Sequence, residues 1–503
     1  GMTGAFIMGA TALQTLATGT TSTTITGGSK NDELVGDADQ VQTINGGAGN
    51  DTINGGSAAD TINGGAGNDI IGGDSKVAVG TSTGKDVVDG GAGKDTITIG
   101  GTALVTVTGG EGDDTINAAS YLTYGQSIKG GAGTDILGIS DQSTVTTAAG
   151  SVVSEFETLN LTDVTDNETL DLDNFGNNTF TTVKLGAVSD LVLSSVRDET
   201  ICLTAALANG KDLTITKEST SGSSDVVNLK MSGTSAVDTG NGSVGEYVVV
   251  AGVETINITT DDANTTNGNL THILDLTAAA ATTINVSGDC GLDISSADGT
   301  QDIADVTTVD ASGIVLDKVT DAGLTYVATF NTASATTTIT GSNGVDAITT
   351  GALTNDTVNL GAGADTFVYA GGLDTVTGGD GVDTYNVDAD GTKAKHLVIT
   401  DLAAKDKLDL VGVTSLGSAL TANIGSATTL TAGTASTLNN YLDAAAAGTA
   451  STSSINHFQF DGNTYLVVDN STTNGFVDGT DALIKMTGLV TLKGATNASE
   501  VYT

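Results

Sequence analysis

Residues 46–54 read GGAGNDTIN, 55–63 GGSAADTIN and 64–72 GGAGNDIIG, three in-register copies of one nine-residue unit. Working outward, the unit returns as GGAGKDTIT at 90–98, GGEGDDTIN at 109–117 and GGAGTDILG at 130–138. A degenerate leader, GGSKNDELV, precedes them at 27–35. Asp51, Asp60 and Asp69 step by nine, as do Asp86 and Asp95. A second array lies well downstream, with GSNGVDAIT at 341–349, LGAGADTFV at 360–368 and GGDGVDTYN at 378–386. There Asp356, Asp365, Asp374 and Asp383 again step by nine, and Asp346 precedes Asp356 by ten.

The unit has a physical reading. Its glycine-rich first six positions turn the chain, because glycine reaches positive φ at little cost. They present carbonyl oxygens, and the Asp at position six adds a carboxylate. The last three residues make a minimal strand with one inward apolar side chain, such as Ile53, Ile62, Ile71, Ile97 or Ile116. Successive strands are expected to stack at the ~4.8 Å ladder spacing, which sets the turns in a column along one edge. A Ca²⁺ ion between neighbouring turns then collects the roughly six to eight hard oxygens it prefers. This is the calcium-binding nonapeptide pattern of a parallel β-roll. A Gly/Asp linker would not explain the apolar residue at position eight.

The candidate ligands follow residue by residue. In the first array they are Asp32; Gly46, Gly47, Gly49 and Asp51; Gly55 and Asp60; and Gly64, Gly65, Gly67 and Asp69. They continue as Asp86; Gly90, Gly91, Gly93 and Asp95; Gly109, Gly112 and Asp114; and Gly130, Gly133 and Asp135. In the second array they are Asp346, Asp356, Gly361, Gly363, Asp365, Asp374, Gly378, Gly379, Gly381 and Asp383. The turns of Asp32 (Lys30 for a Gly), Asp60 (Ala58 for a Gly), Asp86 and Asp374 are degenerate and make weaker sites.

Composition agrees with this. Against 17 Lys+Arg stand 60 Asp+Glu, a formal charge of −43. That balance excludes nucleic acid or an anionic membrane surface as partner and calls for divalent counter-ions. Proline and tryptophan are absent, aromatics make up 4 %, and there are 69 glycines. A thin aliphatic core with unbroken ladders wants all of these. Cys202 and Cys290 are 88 positions apart and read as two buried thiols. Phe6–Leu16 is apolar but lacks the basic start of a signal peptide, and no run is long enough for a transmembrane helix.

The chain divides into a lead-in (1–26), a first array (27–140), an irregular stacked β region (141–340), a second array (341–395) and a C-terminal cap (396–503). The fold class is all-β: calcium-stapled parallel β-roll or β-solenoid arrays, an irregular β-stack between them and a mixed C-terminal cap. In the middle region FETLNLTD (156–163) recurs as VETINITT (253–260), with a looser TTINVSG at 282–288. Glu157 and Glu254 read there as solvated strand-flanking acids rather than ligands. In the cap, HLVITDL and DKLDLVGV are short strands. Ser436 is the expected N-cap of a helix through Leu438, Tyr441, Leu442 and Ala445 that stops at Gly448. Residues 457–469 form a hairpin about Asp461–Gly462, and 479–492 supply two further strands.

The second array, DLAAKDKLDLVGV, NYLDAAAAG, FQFDGNTYLVVD and GTDALIKMTGLVTL together resemble the RTX-type surface-layer (S-layer) proteins of Gram-negative bacteria, most closely the Caulobacter type. The resemblance is strongest from about 341 to 492 and extends loosely back through FETLNLTD and VETINITT. It implies a calcium-dependent two-dimensional lattice of this chain with itself on the cell surface. It also implies export by type I secretion machinery reading an uncleaved C-terminal signal. The family's N-terminal region, which anchors the lattice to lipopolysaccharide, has no evident counterpart, since the first calcium turn opens at about residue 27.

Nothing here reads as an enzyme. His272, His396 and His457 are the only histidines, and none stands in HExxH. The one GxSxG, Gly80–Gly84, falls in an insertion between turns rather than on a strand-to-helix elbow. Residues 386–391, NVDADG, imitate the start of an EF-hand loop, but position twelve is Leu397. The alternatives to a lattice are a monomeric RTX adhesin and the export module of a larger secreted enzyme.

Overall fold

The computed structural model describes residues 5–7, 24–37, 40–72, 85–100, 104–118, 122, 124–140, 145, 152–162, 164, 168–176, 178, 180–208, 210–219, 222, 224–239, 247–264, 270–295, 303–328, 336–387, 393–410, 427–430, 434–447, 454–471, 473–494 and 500–502. The chain is an all-β parallel β-solenoid with a small antiparallel C-terminal sheet, and it divides into two units, Gly1–Ser219 and Thr220–Thr503. The Gly80–Gly84 motif and most of the EF-hand-like segment lie outside the described residues.

In the first unit consecutive nonapeptides do not stack on each other. They alternate between two parallel sheets. Thr24–Thr26, Thr43–Ala48, Thr61–Ala66, Val87–Ala92, Thr106–Glu111 and Ser127–Ala132 pair in one. Glu33–Val35, Thr52–Asn54, Ile70–Ile71, Thr96–Ile99, Thr115–Ala118 and Ile136–Ile139 pair in the other. The expectation that neighbours in a column stand nine residues apart is therefore corrected: Asp51 meets Asp69, 18 residues on. The reason is steric. A nonapeptide contains one turn and one short strand, so two are needed to bring the chain back over itself. Ile44 and Ile62 face Ile53 and Ile71 from opposite walls, and all four are buried. One inward aliphatic per half-coil leaves a core two side chains thick.

Beyond the array the same ladders continue through Thr158–Leu161, Thr182–Leu185 and Thr200–Leu203. Glu168–Asp171, Leu191–Val196 and Leu213–Lys217 make a further parallel sheet. Cys202 is a buried thiol.

The second unit is likewise a parallel solenoid. One wall runs from Val226–Gly233 through Thr255–Asp262, Thr283–Gly288, Thr308–Ile314, Thr338–Thr340, Thr357–Asn359 and Thr375–Thr377 to Leu397–Ile399. The other includes Ala322–Val327, Val345–Thr349, Thr366–Tyr369, Thr384–Val387 and Lys407–Asp409. Cys290 is free and buried. The core is not purely aliphatic here: Tyr326, Phe367, Tyr369 and Tyr385 are fully buried at inward positions.

At the C-terminal end the pattern turns antiparallel. Ser454–Phe460 and Asn463–Asp469 form the expected hairpin. Asp461 and Gly462 both take positive φ, 47° and 75°, as a two-residue primed turn requires. Asn463–Asp469 pairs antiparallel with Ala482–Met486, which lies parallel to Leu397–Ile399 and so covers that edge. Residues 479–492 supply this one strand, not two. The helix is Leu438–Ala445, and its N-cap is Thr437 rather than Ser436. Thr437 has the extended backbone (φ −114°, ψ 153°) from which its hydroxyl accepts the Asn440 N–H at 3.3 Å. The helix buries Leu442 and Ala445 against Phe458, Tyr465 and Val467, and Tyr441 stacks on Phe458 at 5.2 Å.

Candidate metal centre

The turns connecting the two sheets of the first unit make two columns of unequal composition. On one edge stand Asp32, Asp51, Asp69, Asp95, Asp114 and Asp135. Each carboxylate after Asp32 accepts, through Oδ1, the backbone N–H of the Asp one coil before it, at 2.7–2.8 Å. Glu157 ends the column, its Oε2 accepting the Asp135 N–H at 2.7 Å. On the opposite edge, among the described residues, Asp60 and Asp86 are the acidic members. Asp60 Oδ1 takes the Gln42 N–H at 2.8 Å, and Asp86 Oδ1 takes the Asp60 N–H at 2.9 Å. The equivalent residue in the next coil is Val105, whose carbonyl carries the ladder onward to the Ser127 N–H.

The second unit repeats the device. Asp346, Asp365, Asp383 and Asp406 form one column, the first three each donating the N–H to the next carboxylate at 2.8–3.1 Å. Asp356 and Asp374 form another, joined at 2.9 Å. Glu254 accepts the Asp225 N–H at 2.9 Å. Glu157 and Glu254 thus hold the ladder position of the array aspartates and are not merely solvated flanking acids. Asp406 also belongs to a column although its turn, DLAAKD, contains no glycine. Lys405 adopts the positive φ, 87°, that glycine supplies elsewhere.

The other carboxylate oxygen decides what these columns can bind. Oδ2 of Asp51, Asp60, Asp69, Asp95, Asp114, Asp135 and Asp365 is buried without a hydrogen-bond partner. A buried unsatisfied polar atom costs about 1–3 kcal/mol, more when charged, so a row of them asks for a cation. At other positions the second oxygen is already engaged. Asp32 Oδ2 accepts from Gly28 N–H at 2.6 Å and Asp346 Oδ2 from Ser342 N–H at 2.7 Å. The Thr354 and Thr350 hydroxyls donate to Asp356 and Asp374, each at 2.7 Å, and Ala403 N–H donates to Asp406 at 2.7 Å.

Main-chain oxygens converge on the same places. A Cβ on Gly46 would lie 2.2 Å from the Gly64 carbonyl oxygen and 2.5 Å from Asp51 Oδ2. No side chain fits there, and the oxygens that exclude it are hard donors of the kind calcium takes. Gly64, Gly90 and Gly109 stand in the same relation to Asp69, Asp95 and Asp114. The remaining glycines of the array turns (Gly47, Gly49, Gly55, Gly65, Gly67, Gly91, Gly93, Gly112, Gly130 and Gly133; Gly361, Gly363, Gly379 and Gly381) lie in these stacked turns, most of them at positive φ. Among the described residues no three His, Cys, Asp or Glu side chains gather around one point. The main-chain carbonyls beside each carboxylate are thus the donors at hand in most turns.

Burial acts on the acids directly. It pushes the carboxyl groups of Asp51, Asp95, Asp346 and Asp383 up to about 6, those of Asp60, Asp114 and Asp374 to about 7, and that of Asp365 to about 8. Asp69 and Asp135 are raised for the same reason. Neighbouring carboxylates add to the rise at Asp114 and Asp365, while the N–H from the adjacent coil opposes it.

The family model of the RTX calcium-binding nonapeptide repeat (4 copies) matches residues 42–74, 81–103 and 99–120. These lie in the first array and include Asp51, Asp60, Asp69, Asp86, Asp95 and Asp114. The chain carries RTX calcium-binding repeats, and such repeats bind multiple Ca²⁺ ions. RTX repeat proteins are typically secreted. No curated protein matches the chain. No helix among the described residues is long and apolar enough to cross a membrane.

Proposed function

We propose that this protein is a structural component of a bacterial surface layer, folding and assembling with copies of itself into a two-dimensional lattice when calcium binds. The observation that carries the reading is the row of buried carboxylate oxygens lacking partners along stacked turns. It makes an ion the condition for rigid stacked coils, and rigid coils present the same contacts from copy to copy. Strand faces studded with Thr, Ser and Asn favour many modest contacts, whose strength adds across a sheet. Export proceeds through type I secretion, the calcium-poor interior keeping the acidic chain unfolded until it leaves the cell.

The protein works without catalysis. His272 is fully buried, with Nδ1 accepting the Val237 N–H at 2.9 Å and Nε2 facing the Asp261 carbonyl at 3.3 Å. Both ring nitrogens are held by main chain, which supports a structural role for this imidazole. The test is negative-stain microscopy of the full chain at rising concentration in millimolar calcium. Planar arrays that dissolve in chelator are expected. Folded protein that stays monomeric under those conditions would overturn the lattice and favour the adhesin.

A further inference from the structure

At the first glycine of most array turns, the space a Cβ would take is bounded by Asp Oδ2 and by a main-chain oxygen of the next coil. Around Gly46 these are Asp51 Oδ2 and Gly64 O, around Gly64 Asp69 Oδ2 and Gly90 O, and around Gly341 Asp346 Oδ2 and Leu360 O. Two turns differ: at Gly55 the carbonyl's place is taken by Ile62 Cδ1, and at 378–383 by another oxygen. The position of a Cβ on Gly378 lies 2.3 Å from the Tyr385 hydroxyl and 2.4 Å from Asp383 Oδ2, and no carbonyl is among its nearest atoms.

The cause lies in the coil above. Its turn, DLAAKD, begins with Asp401 where the turns at 341 and 378 carry glycine. Asp401 uses both carboxylate oxygens on the turn below, taking the Gly378 and Gly379 N–H groups at 2.8 and 2.9 Å. The place of the next coil's carbonyl is filled from within the core instead. Tyr385, at the inward position where the first array has isoleucine, is fully buried, and its hydroxyl has no hydrogen-bond partner.

We propose that the Tyr385 hydroxyl is a calcium-ligand oxygen of the 378–383 turn, acting with Asp383 in place of the main-chain carbonyl that most other turns supply. A phenol oxygen is a neutral hard donor, as a carbonyl is, and coordination gives this buried oxygen the partner it lacks. Tyr369 provides the contrast: its hydroxyl already has a partner, donating to the Gly372 carbonyl at 2.7 Å. The inference rests on calcium binding by the arrays and is independent of the lattice reading.

Tyr385→Phe removes the oxygen and keeps the ring. On the full chain, calorimetric calcium titration should show one ion fewer, or one site weakened about tenfold, with the other sites unchanged. Tyr369→Phe should keep the full complement. Terbium exchanged into the calcium-loaded protein should show tyrosine-sensitised emission that falls in Tyr385→Phe and persists in Tyr369→Phe. Equal ion number and affinities in Tyr385→Phe and the unaltered chain would overturn the proposal. If Tyr385→Phe fails to fold, the unaltered chain decides, because terbium emission with no tyrosine contribution would overturn it equally.

Discussion

Protons should fold this chain where calcium is withheld. The perturbation is chelation followed by acidification, and its sign comes from the buried acids. Burial lifts eight array carboxyls to values from about 6 to about 8, against about 3.9 in an unfolded chain. A carboxyl whose folded value is raised contributes stability fully below its unfolded value and loses it as pH rises through the folded one. The window therefore runs from about pH 4 to about pH 8. At pH 6 a group at 8 is almost fully protonated, those at 7 are nine-tenths protonated and those at 6 are half protonated. The folded chain then holds roughly six protons more than the unfolded chain, and at pH 7 roughly three. The metal-free folding constant should accordingly vary with about the sixth power of proton activity near pH 6, giving a transition narrower than one pH unit. Circular dichroism and hydrodynamic radius in chelator, from about pH 4.5 to 8.5, measure it. A compact β-protein is expected at the acid end and an expanded chain above neutrality, with calcium holding the compact form throughout. A chelated chain equally compact at both ends, or compact only in alkali, would refute the reasoning.

Two further outcomes follow from the columns. Asp69→Ala should raise the calcium midpoint several-fold and leave the Asp51 N–H unpaired, a cost of about 1–3 kcal/mol; Asp32→Ala, whose Oδ2 is already occupied by Gly28 N–H, should shift the midpoint much less. Calcium titration followed by circular dichroism compares them, and a shift for Asp32→Ala equal to that for Asp69→Ala would contradict the assignment. Gly46→Ala places a Cβ 2.2 Å from a backbone oxygen and should destabilise by more than about 3 kcal/mol in thermal melts, whereas Gly210→Ala, with open space around it and only a positive φ to oppose it, should cost about 1–2 kcal/mol.

The half-coil was legible in the sequence and the whole coil was not. Position eight announced itself, because Ile53, Ile62, Ile71, Ile97 and Ile116 are the inward residues and all are buried. Which sheet each strand joins is not written in a nine-residue repeat, since both halves carry the same signature. One signal did exist. After Asp95 the acids stop stepping by nine and fall at 114 and 135, because the alternate turns there carry Val105 and Gln126 instead. Asp406 was missed because its turn lacks glycine, and a lysine at positive φ leaves no mark in composition. In the sequence Glu157 and Glu254 read as solvated, because nothing local distinguishes a flanking acid from one reaching the N–H of a residue 22 or 29 positions away. Tyr385 stands at the inward position of its repeat and is a core residue; only the stacked turns show where its hydroxyl ends.

The second unit shows how threonine can take the place of acid in part of one wall. Along one wall, from Thr255–Asp262 to Thr375–Thr377, the residue preceding each strand is Glu254, then Thr282, Thr307 and Thr337, and then Asp356 and Asp374. Where it is threonine, the hydroxyl donates down the stack: Thr282 to the Glu254 carbonyl at 3.3 Å and Thr307 to the Thr282 carbonyl at 3.2 Å. A hydroxyl proton supplies the small positive charge that a carboxylate edge must obtain from an ion. Threonine adds no charge to repel its neighbours in the column, so these coils close on hydrogen bonds alone. The changeover is Thr337, which donates its N–H to Asp356 Oδ1 at 2.9 Å and so joins the neutral ladder to the acidic one. Even there Thr354 and Thr350 still satisfy Asp356 and Asp374. In this wall acid is introduced together with its own donors. Asp365, on the facing wall, has no donor for Oδ2 and the highest carboxyl value of the column, about 8. Ion dependence in this fold therefore follows the partner of the second carboxylate oxygen, coil by coil, rather than the presence of an aspartate.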